Sequence, residues 1–255
     1  LFWIGRYIER ADGTARILDV HLQLLLEDPW IDEDTACRAL LSVMGSEAGP
    51  DTEMTRESVL AILAIDRNEP ASIAYSLGAA RENARRAREI VSTELWEALN
   101  TTRARMPRRI SSDKTHDFFQ WVRERSALAV GIIESSTSRD DAWLFFTLGR
   151  SLERADMTAR LPATRSLTEA SGPSWPTILR SFVVYGACLR TDRGVPSTRN
   201  AAEFLLLDRL FPRSILFAVA RAETCLREIE PAGSGRVGFG DQAQRLLGQI
   251  RSELE

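Results

Sequence analysis

The sequence predicts an all-α fold, a multi-helix bundle built from two pseudo-repeated halves. Apolar residues recur at alternating steps of three and four along most of the 255 residues, as on the buried face of a helix. No segment shows the apolar and polar alternation that is typical of a strand. The pattern of residues 5–16 also returns at residues 149–160. Such a repeat indicates that a helical unit has been duplicated.

The repeated pattern consists mainly of charged residues. Packing in a core requires only apolar side chains at a given spacing, so it does not explain why the same charges recur. A duplicated helix with a duplicated polar role does explain it. The first copy contains Gly5, Arg6, Glu9, Arg10, Asp12, Thr14 and Arg16, and the second contains Gly149, Arg150, Glu153, Arg154, Asp156, Thr158 and Arg160.

The first half begins with a motif helix. Its apolar residues, from Ile4 to Leu25, form one narrow packing stripe, and Arg6, Glu9 and Arg16 lie on the opposite side. Capping residues and breaks then predict further helices from about 32 to 44, from 55, from 72 to 90, from 92, and from 113 to 133.

The second half begins near Ser138. Its motif helix repeats the apolar stripe, but Pro162 should end or kink it one turn sooner than in the first copy. Further helices are predicted near 176–190, 198–209, 213–229 and 240–255.

A second echo supports the duplication. Residues 66–73 are similar to residues 208–215, and both segments carry an Asp-Arg pair, a proline and a Ser-Ile pair. We therefore expect a single domain over residues 1–255, with halves of about 1–137 and 138–255 that pack into one body.

Composition excludes several classes of function. The formal net charge of −3 provides no global attraction to nucleic acid, and no apolar run is long enough to span a membrane. Cys37, Cys188 and Cys225 are scattered and odd in number, so we expect reduced thiols and a cytoplasmic protein. Because the chain starts without Met inside an apolar-periodic stretch, we expect it to be truncated at both ends.

The charged motif has two interpretations. The first is a salt-bridge lattice that joins the two motif helices and sets their register. The second is a pocket of guanidinium and carboxylate groups that binds a carboxylate, phosphate or peptide. The candidate binding residues are those of both motifs and three of the second echo: Arg6, Glu9, Arg10, Asp12, Arg16, Arg150, Glu153, Arg154, Asp156, Arg160, Asp208, Arg213 and Ser214.

The repeat also predicts a geometry. If the motif helices lie side by side about a pseudo-two-fold axis, Glu9 reaches Arg150 or Arg154, and Glu153 reaches Arg6 or Arg10. We expect at least one such bridge to be largely buried. Alanines at 11, 15, 155 and 159 would allow some pair of helix backbones to approach closely.

Four other features of the sequence give no clear indication of a catalytic, cofactor or metal site. Residues 233–238 match G-x-G-x-x-G, but a helix rather than a strand precedes them, so we expect a connector and no cofactor. The basic segment 81–88 fits a solvated or salt-bridged helix face better than a nucleic-acid site. His21 and His116 have no partner at metal-ligand spacing, so no metal is expected. The chain has no P-loop and no G-x-S-x-G nucleophile motif.

Together these residues resemble the alpha-E family (DUF403), an α-helical domain named for its Glu-Arg pair. The resemblance covers nearly the whole chain. Besides the two motifs, it is carried by residues 80–85 with Trp96 and Asn100, by residues 121–126, and by residues 204–214.

The resemblance implies partners more than a mechanism. Such proteins accompany circularly permuted ATP-grasp ligases and transglutaminase-like peptidases in peptide synthesis or modification systems. The leading hypothesis is therefore an accessory protein that binds the ligase or a small peptide or amino-acid ligand, with homo-oligomerisation possible. The alternative is an enzyme of amide or peptide chemistry that uses the Arg/Glu-lined pocket.

Overall fold

The structure is a computed structural model that describes residues 1–27, 30–47, 49, 53–166, 197–229 and 242–255. In this part of the chain every regular element is a helix and no strand occurs, as the sequence predicts. The α-helices are α1 (Phe2–Glu27), α2 (Glu33–Met44), α3 (Arg56–Val59), α4 (Ile73–Arg86), α5 (Thr93–Arg105), α6 (Thr115–Ser136), α7 (Asp141–Ser166), α8 (Thr198–Leu207), α9 (Ile215–Ile229) and α10 (Gln242–Leu254). A π-helix (Leu60–Ile65) continues α3, and a 3₁₀ turn (Ser112–Lys114) precedes α6.

Side-chain caps begin several of these helices where the sequence places them. Asp32 accepts a hydrogen bond from the backbone N–H of Thr35 and starts α2, and Ser92 starts α5 in the same way. The helix α2 ends at Gly45, whose φ of 79° lies in the left-handed region that glycine adopts without strain. Short polar residues therefore set these boundaries locally.

The two motif helices, α1 and α7, lie side by side and approach most closely at the motif glycines. A Cβ atom on Gly5 would overlap the carbonyl oxygen of Phe146, and one on Gly149 would overlap the carbonyl oxygen of Phe2. The close approach therefore depends on glycine in the same slot of both copies. Ala11 and Ala15 are buried against other helices and Ala159 is exposed, so the close approach expected at the alanines stays a prediction.

Helix α1 runs through the middle of the molecule and is buried on both sides. Its first part, with Ile4 and Ile8, belongs to a core cluster with α4, α5, α6, α7, α9 and α10. Its later part, with Ala15 and Leu18, belongs to a second cluster with α2, α3, α4, α6 and α8. The prediction of a single packing stripe was therefore wrong, because the charged side of α1 is covered by α7.

Pro162 does not end its helix. Of the two predicted effects, an end of the helix is wrong, since α7 continues to Ser166 with Pro162 inside it, and a kink stays a prediction. A proline removes one backbone hydrogen bond, and the packing of α7 along its earlier turns keeps the helix in place. Helix α4 ends at Arg86 rather than near residue 90.

Some predicted features lie outside the described residues. These are the helix near 176–190 and the glycine-rich segment 233–238. Within the described ranges, no helix combines the length and the apolar character needed to cross a membrane. The division into two repeated halves stays a prediction for the chain as a whole.

Candidate functional site

Glu153 lies at the contact between α7 and α1 and is fully buried. Its carboxylate accepts hydrogen bonds from Arg6 Nε at 2.6 Å and from Arg10 Nε and Nη2 at 2.5 and 3.2 Å. Arg6 and Arg10 are one helical turn apart on α1, so both reach the same acceptor. The second motif glutamate is therefore held by the arginines of the first motif.

Glu9 has the reciprocal arrangement on the other helix. It is 3% exposed, and its carboxylate accepts from Arg154 Nε and Nη2, both at 2.7 Å, and from Arg150 Nε at 3.2 Å. Arg213, in the turn before α9, adds a third guanidinium group 3.3 Å from Oε1. The predicted buried cross-helix bridge is thus confirmed for both copies.

Charge balance keeps Glu9 ionised. Burial by itself raises the pKa of this carboxyl, but Arg154, Arg213 and Arg150 outweigh it and hold the pKa below the ordinary value. The same crowding disfavours the charge on one arginine. Burial, and next the nearby Arg154, lower the pKa of the Arg150 guanidinium. A buried cluster of this kind stabilises a fold only while every charge keeps its partner.

The two aspartates of the motifs differ in their surroundings. Asp12 is buried and accepts from Arg16 at 2.9 Å and from Arg213 at 2.7 Å. Asp156 accepts from Arg160 at 3.0 Å, and its side chain is 42% exposed. Arg160 also donates to the backbone carbonyl of Val43, so it ties α7 to the end of α2.

The residues of the second echo form two equivalent turns beside the motif helices. Ser214 donates to the carbonyl oxygen of Asp208 and accepts from the N–H of Phe217, and Ser72 makes the same bonds with Asp66 and Tyr75. Each turn therefore starts a helix, α9 or α4, by a serine cap.

The turns also present carbonyl groups to the motifs. The carbonyl oxygen of Pro70 accepts from Arg10, and that of Pro212 accepts from Arg154. Thr14 donates to the carbonyl of Ala71 at 3.4 Å, and Thr158 donates to that of Arg213 at 3.1 Å. Both echoes of the sequence consequently belong to one hydrogen-bonded structure.

The structure brings most of the predicted site residues together in this lattice. Asp208 and Ser214 are exceptions, because they order the turn that carries Arg213 and do not contact the motif carboxylates. Asp156 and Arg160 pair with each other beside the lattice. Arg213 breaks the equivalence of the two turns, since Ala71 occupies the corresponding place in the first turn. Arg213 donates to Asp12, and the alanine at the corresponding place has no guanidinium group to do the same for Asp156.

A second polar cluster was missed by the sequence analysis. His116 Nδ1 lies 2.9 Å from Asp19 Oδ1, and Arg123 Nη1 donates to Asp19 Oδ2 at 2.8 Å. Asp19 and His116 line a cavity of about 660 Å³ between α1, the 3₁₀ turn and α6. The residues are far apart in the chain, so spacing could not reveal them. The only available signal was the single exposed histidine near the start of a helix.

The thiols described in the structure are not arranged for nucleophilic attack. Cys37 and Cys225 are both buried, and burial raises the pKa of the Cys37 thiol to about 12 and that of Cys225 in the same direction. Among the described residues, no group of three or more His, Cys, Asp and Glu side chains is placed to hold a metal ion.

The fold and the lattice define a class of protein, an all-helical domain in which two Glu-Arg motif helices exchange ion pairs. The family model for alpha-E, a predicted alpha-helical domain with a conserved ER motif, matches residues 1–255. The chain belongs to the alpha-E family.

The curated relatives are longer than this chain. It is 25% identical to the uncharacterized protein Mb2597 of Mycobacterium bovis and 24% identical to the uncharacterized protein Rv2567 of Mycobacterium tuberculosis. Each match covers 100% of this chain and 31% of the relative, so the chain spans about a third of their length. No solved structure matches the chain.

Proposed function

We propose that this chain is an accessory protein of a circularly permuted ATP-grasp ligase, in a peptide synthesis or modification system that includes a transglutaminase-like peptidase. It binds the ligase or its peptide. The identity of these partners rests on the family resemblance. The observation that carries the accessory role is that both motif glutamates are saturated by arginines inside the core.

A catalytic carboxylate must reach the substrate and exchange a proton with it. Glu9 and Glu153 are buried, and each accepts hydrogen bonds from at least two guanidinium groups of the opposite helix. A substrate would have to displace these partners at the cost of leaving buried charges uncompensated. The lattice therefore favours a role in fixing the register of α1 and α7, which gives a rigid platform for binding.

The length of the relatives also supports a role beside another enzyme. In Mb2597 and Rv2567 the matched region is 31% of the polypeptide, and the rest is additional sequence. A domain that works with a second protein is often found on the same chain with a further domain, because the linkage raises the effective concentration of the two.

Reconstitution with the ligase tests this proposal. The 255-residue chain, the permuted ATP-grasp ligase and both together are incubated with ATP and an amino-acid mixture, and ADP release and peptide masses are measured. We expect no turnover by the chain alone, a complex in sedimentation velocity, and a changed peptide yield or length when both are present. An ATP-grasp ligase of unpermuted topology is the control and should be unaffected. Turnover by the chain alone, or no complex and no effect on the ligase, would refute the accessory role.

A second candidate is an enzyme of amide or peptide chemistry in its own right. The observation in its favour is the Asp19–His116 pair rather than the Arg/Glu lattice. An aspartate that binds Nδ1 orients the imidazole and leaves Nε2 available as a base, and the pair lines a cavity of about 660 Å³. Incubating the chain with N-acetyl amino-acid amides and esters tests this candidate. Hydrolysis that is lost in a His116→Gln variant would support it, and no hydrolysis by the unaltered chain would exclude these substrates.

A further inference from the structure

A groove of about 640 Å³ runs between α4 and α5, away from the motif lattice. We call it the α4–α5 groove. Its floor is apolar and includes Leu77, Gly78 and Met106. A Cβ atom on Gly78 would meet nothing within 4 Å, so open space lies directly above the helix backbone. The volume is that of a small-ligand or short-peptide site.

The rim of the α4–α5 groove is basic. Arg67, Arg81 and Arg103 line it. Among the described residues, Arg67 and Arg103 form no ion pair, and both are exposed. The acidic residue of the lining, Glu82, pairs with Arg85 at 2.7 Å, with Arg86 at 3.3 Å and, more distantly, with Arg81 at 3.9 Å. The groove therefore carries a surplus of positive charge.

Arg81 is held in place before any ligand arrives. Its Nε donates to Asn100 Oδ1 at 3.2 Å, and its guanidinium group lies over the ring of Trp96, 4.9 Å from the centroid. Asn100 uses its oxygen in this bond, so its amide N–H groups remain as donors at the rim. A positioned guanidinium group loses less freedom when it binds a carboxylate than a mobile one does.

These features define the chemistry of a ligand. Guanidinium and amide groups supply several hydrogen-bond donors, which suits a carboxylate. The apolar floor suits aliphatic side chains. We infer that the α4–α5 groove binds a short acidic peptide segment, with its carboxylates on the arginine rim and its apolar side chains above Gly78. This inference rests on the proposed function, since it names the place where the peptide of that system would bind.

Isothermal titration calorimetry tests the inference with a defined probe. The probe is an N-acetylated tetrapeptide that alternates leucine and glutamate, and its counterpart has glutamine in place of glutamate and an amidated end. We expect the acidic peptide to bind, its affinity to fall several-fold between 50 and 300 mM salt, and the neutral peptide to bind at least tenfold more weakly. Equal binding of both peptides, or no binding of the acidic one, would overturn the inference. Binding of inorganic phosphate as tight as that of the peptide would overturn the peptide assignment.

Variants locate the site within the molecule. Gly78→Leu fills the open space and should abolish binding, whereas Gly131→Leu places the same side chain in open space on α6 and should leave it unchanged. Arg103→Gln should weaken binding about tenfold, because one charge-assisted contact is lost. Arg105→Gln removes an exposed arginine of α5 that does not line the groove, and it should have no effect.

The two arginine variants keep the inference testable if Gly78→Leu does not fold, which circular dichroism checks. Equal binding by Arg103→Gln and the unaltered chain would overturn the site. Complex formation with the ligase is measured in parallel. If the ligase binds and the peptide does not, only the groove inference fails. If the peptide binds to the groove and the ligase neither binds nor responds, the accessory function fails instead.

Discussion

The change Glu153→Ala tests what the repeated Glu-Arg motif does. The side chain of Glu153 is fully buried and accepts from Arg6 and Arg10 across the α1–α7 contact. Alanine removes the carboxylate and leaves two guanidinium groups without their partner. Arg10 keeps its bond to the carbonyl oxygen of Pro70, but no carboxylate replaces Glu153 for either arginine.

The expected loss follows from burial. Breaking a buried pair by removing one partner costs about 3–5 kcal/mol of the free energy of unfolding, because an uncompensated charge remains. The side chains of Arg6 and Arg10 keep exposures of 26% and 21%, so both can regain some water. We therefore expect a loss near 3 kcal/mol, at the lower end of that range.

Urea unfolding followed by circular dichroism measures the loss. Glu134→Ala is the matched control, because Glu134 pairs with Arg139 at 2.7 Å on an exposed surface, and it should cost less than about 1 kcal/mol. In the double variant Arg10→Ala/Glu153→Ala the two losses should not add, since they break one interaction. A Glu153→Ala variant that loses less than about 1 kcal/mol would show that the lattice does not stabilise the fold. If that variant also lost partner binding, the motif would be a binding site, and if nothing changed, both interpretations of the motif would be wrong.

Three further predictions concern packing, pH and reactivity. Gly5→Ala and Gly149→Ala should each lower the free energy of unfolding in urea by about 1–3 kcal/mol, since the new methyl group meets a backbone carbonyl. Gly131→Ala, on an open helix face, should be neutral or stabilising. Equal effects at all three positions would contradict the close approach. His21 is 2% exposed, and burial lowers its pKa to about 4 from 6.5, so the unfolded chain takes up a proton before the folded one does. Stability should therefore fall by up to about 3 kcal/mol as the pH drops from 6.5 to 4, and His21→Leu should flatten the part of this fall above pH 5; an unchanged profile would be inconsistent with a buried neutral imidazole. Cys37 should not react with a thiol reagent at pH 8 until the chain is unfolded in guanidinium, because burial raises the pKa of its thiol to about 12. Rapid labelling of the thiol in the native chain would contradict its burial.

Much of the helical fold could be predicted from local sequence. Residues such as Asp32, Ser72 and Ser92 cap their helices through bonds to backbone groups three positions ahead, so their effect is readable in the chain. The expectation that Pro162 could end its helix also came from a local rule. A proline weakens a helix locally, but α7 packs against α1 and α9 and continues past it.

The candidate site was predictable in part. Two copies of a charged motif imply a shared role, and the reciprocal bridges at Glu9 and Glu153 follow from placing the copies side by side. The Asp19–His116 pair and the basic rim of the α4–α5 groove were not predictable. Each joins residues from separate segments of the chain, and only the packing of the helices brings them together.

The sequence by itself determined that the chain is helical, where most helices begin, and that two charged segments have the same role. Helix periodicity and caps depend on residues close together in the chain, and a repeat is found by comparing two segments of it. The tertiary structure decided that α1 is buried on both sides and that glycine rather than alanine permits its contact with α7. It also decided that the motif charges lie in the interior. These features depend on which surfaces of distant helices meet, and that outcome is set by the packing of the whole chain.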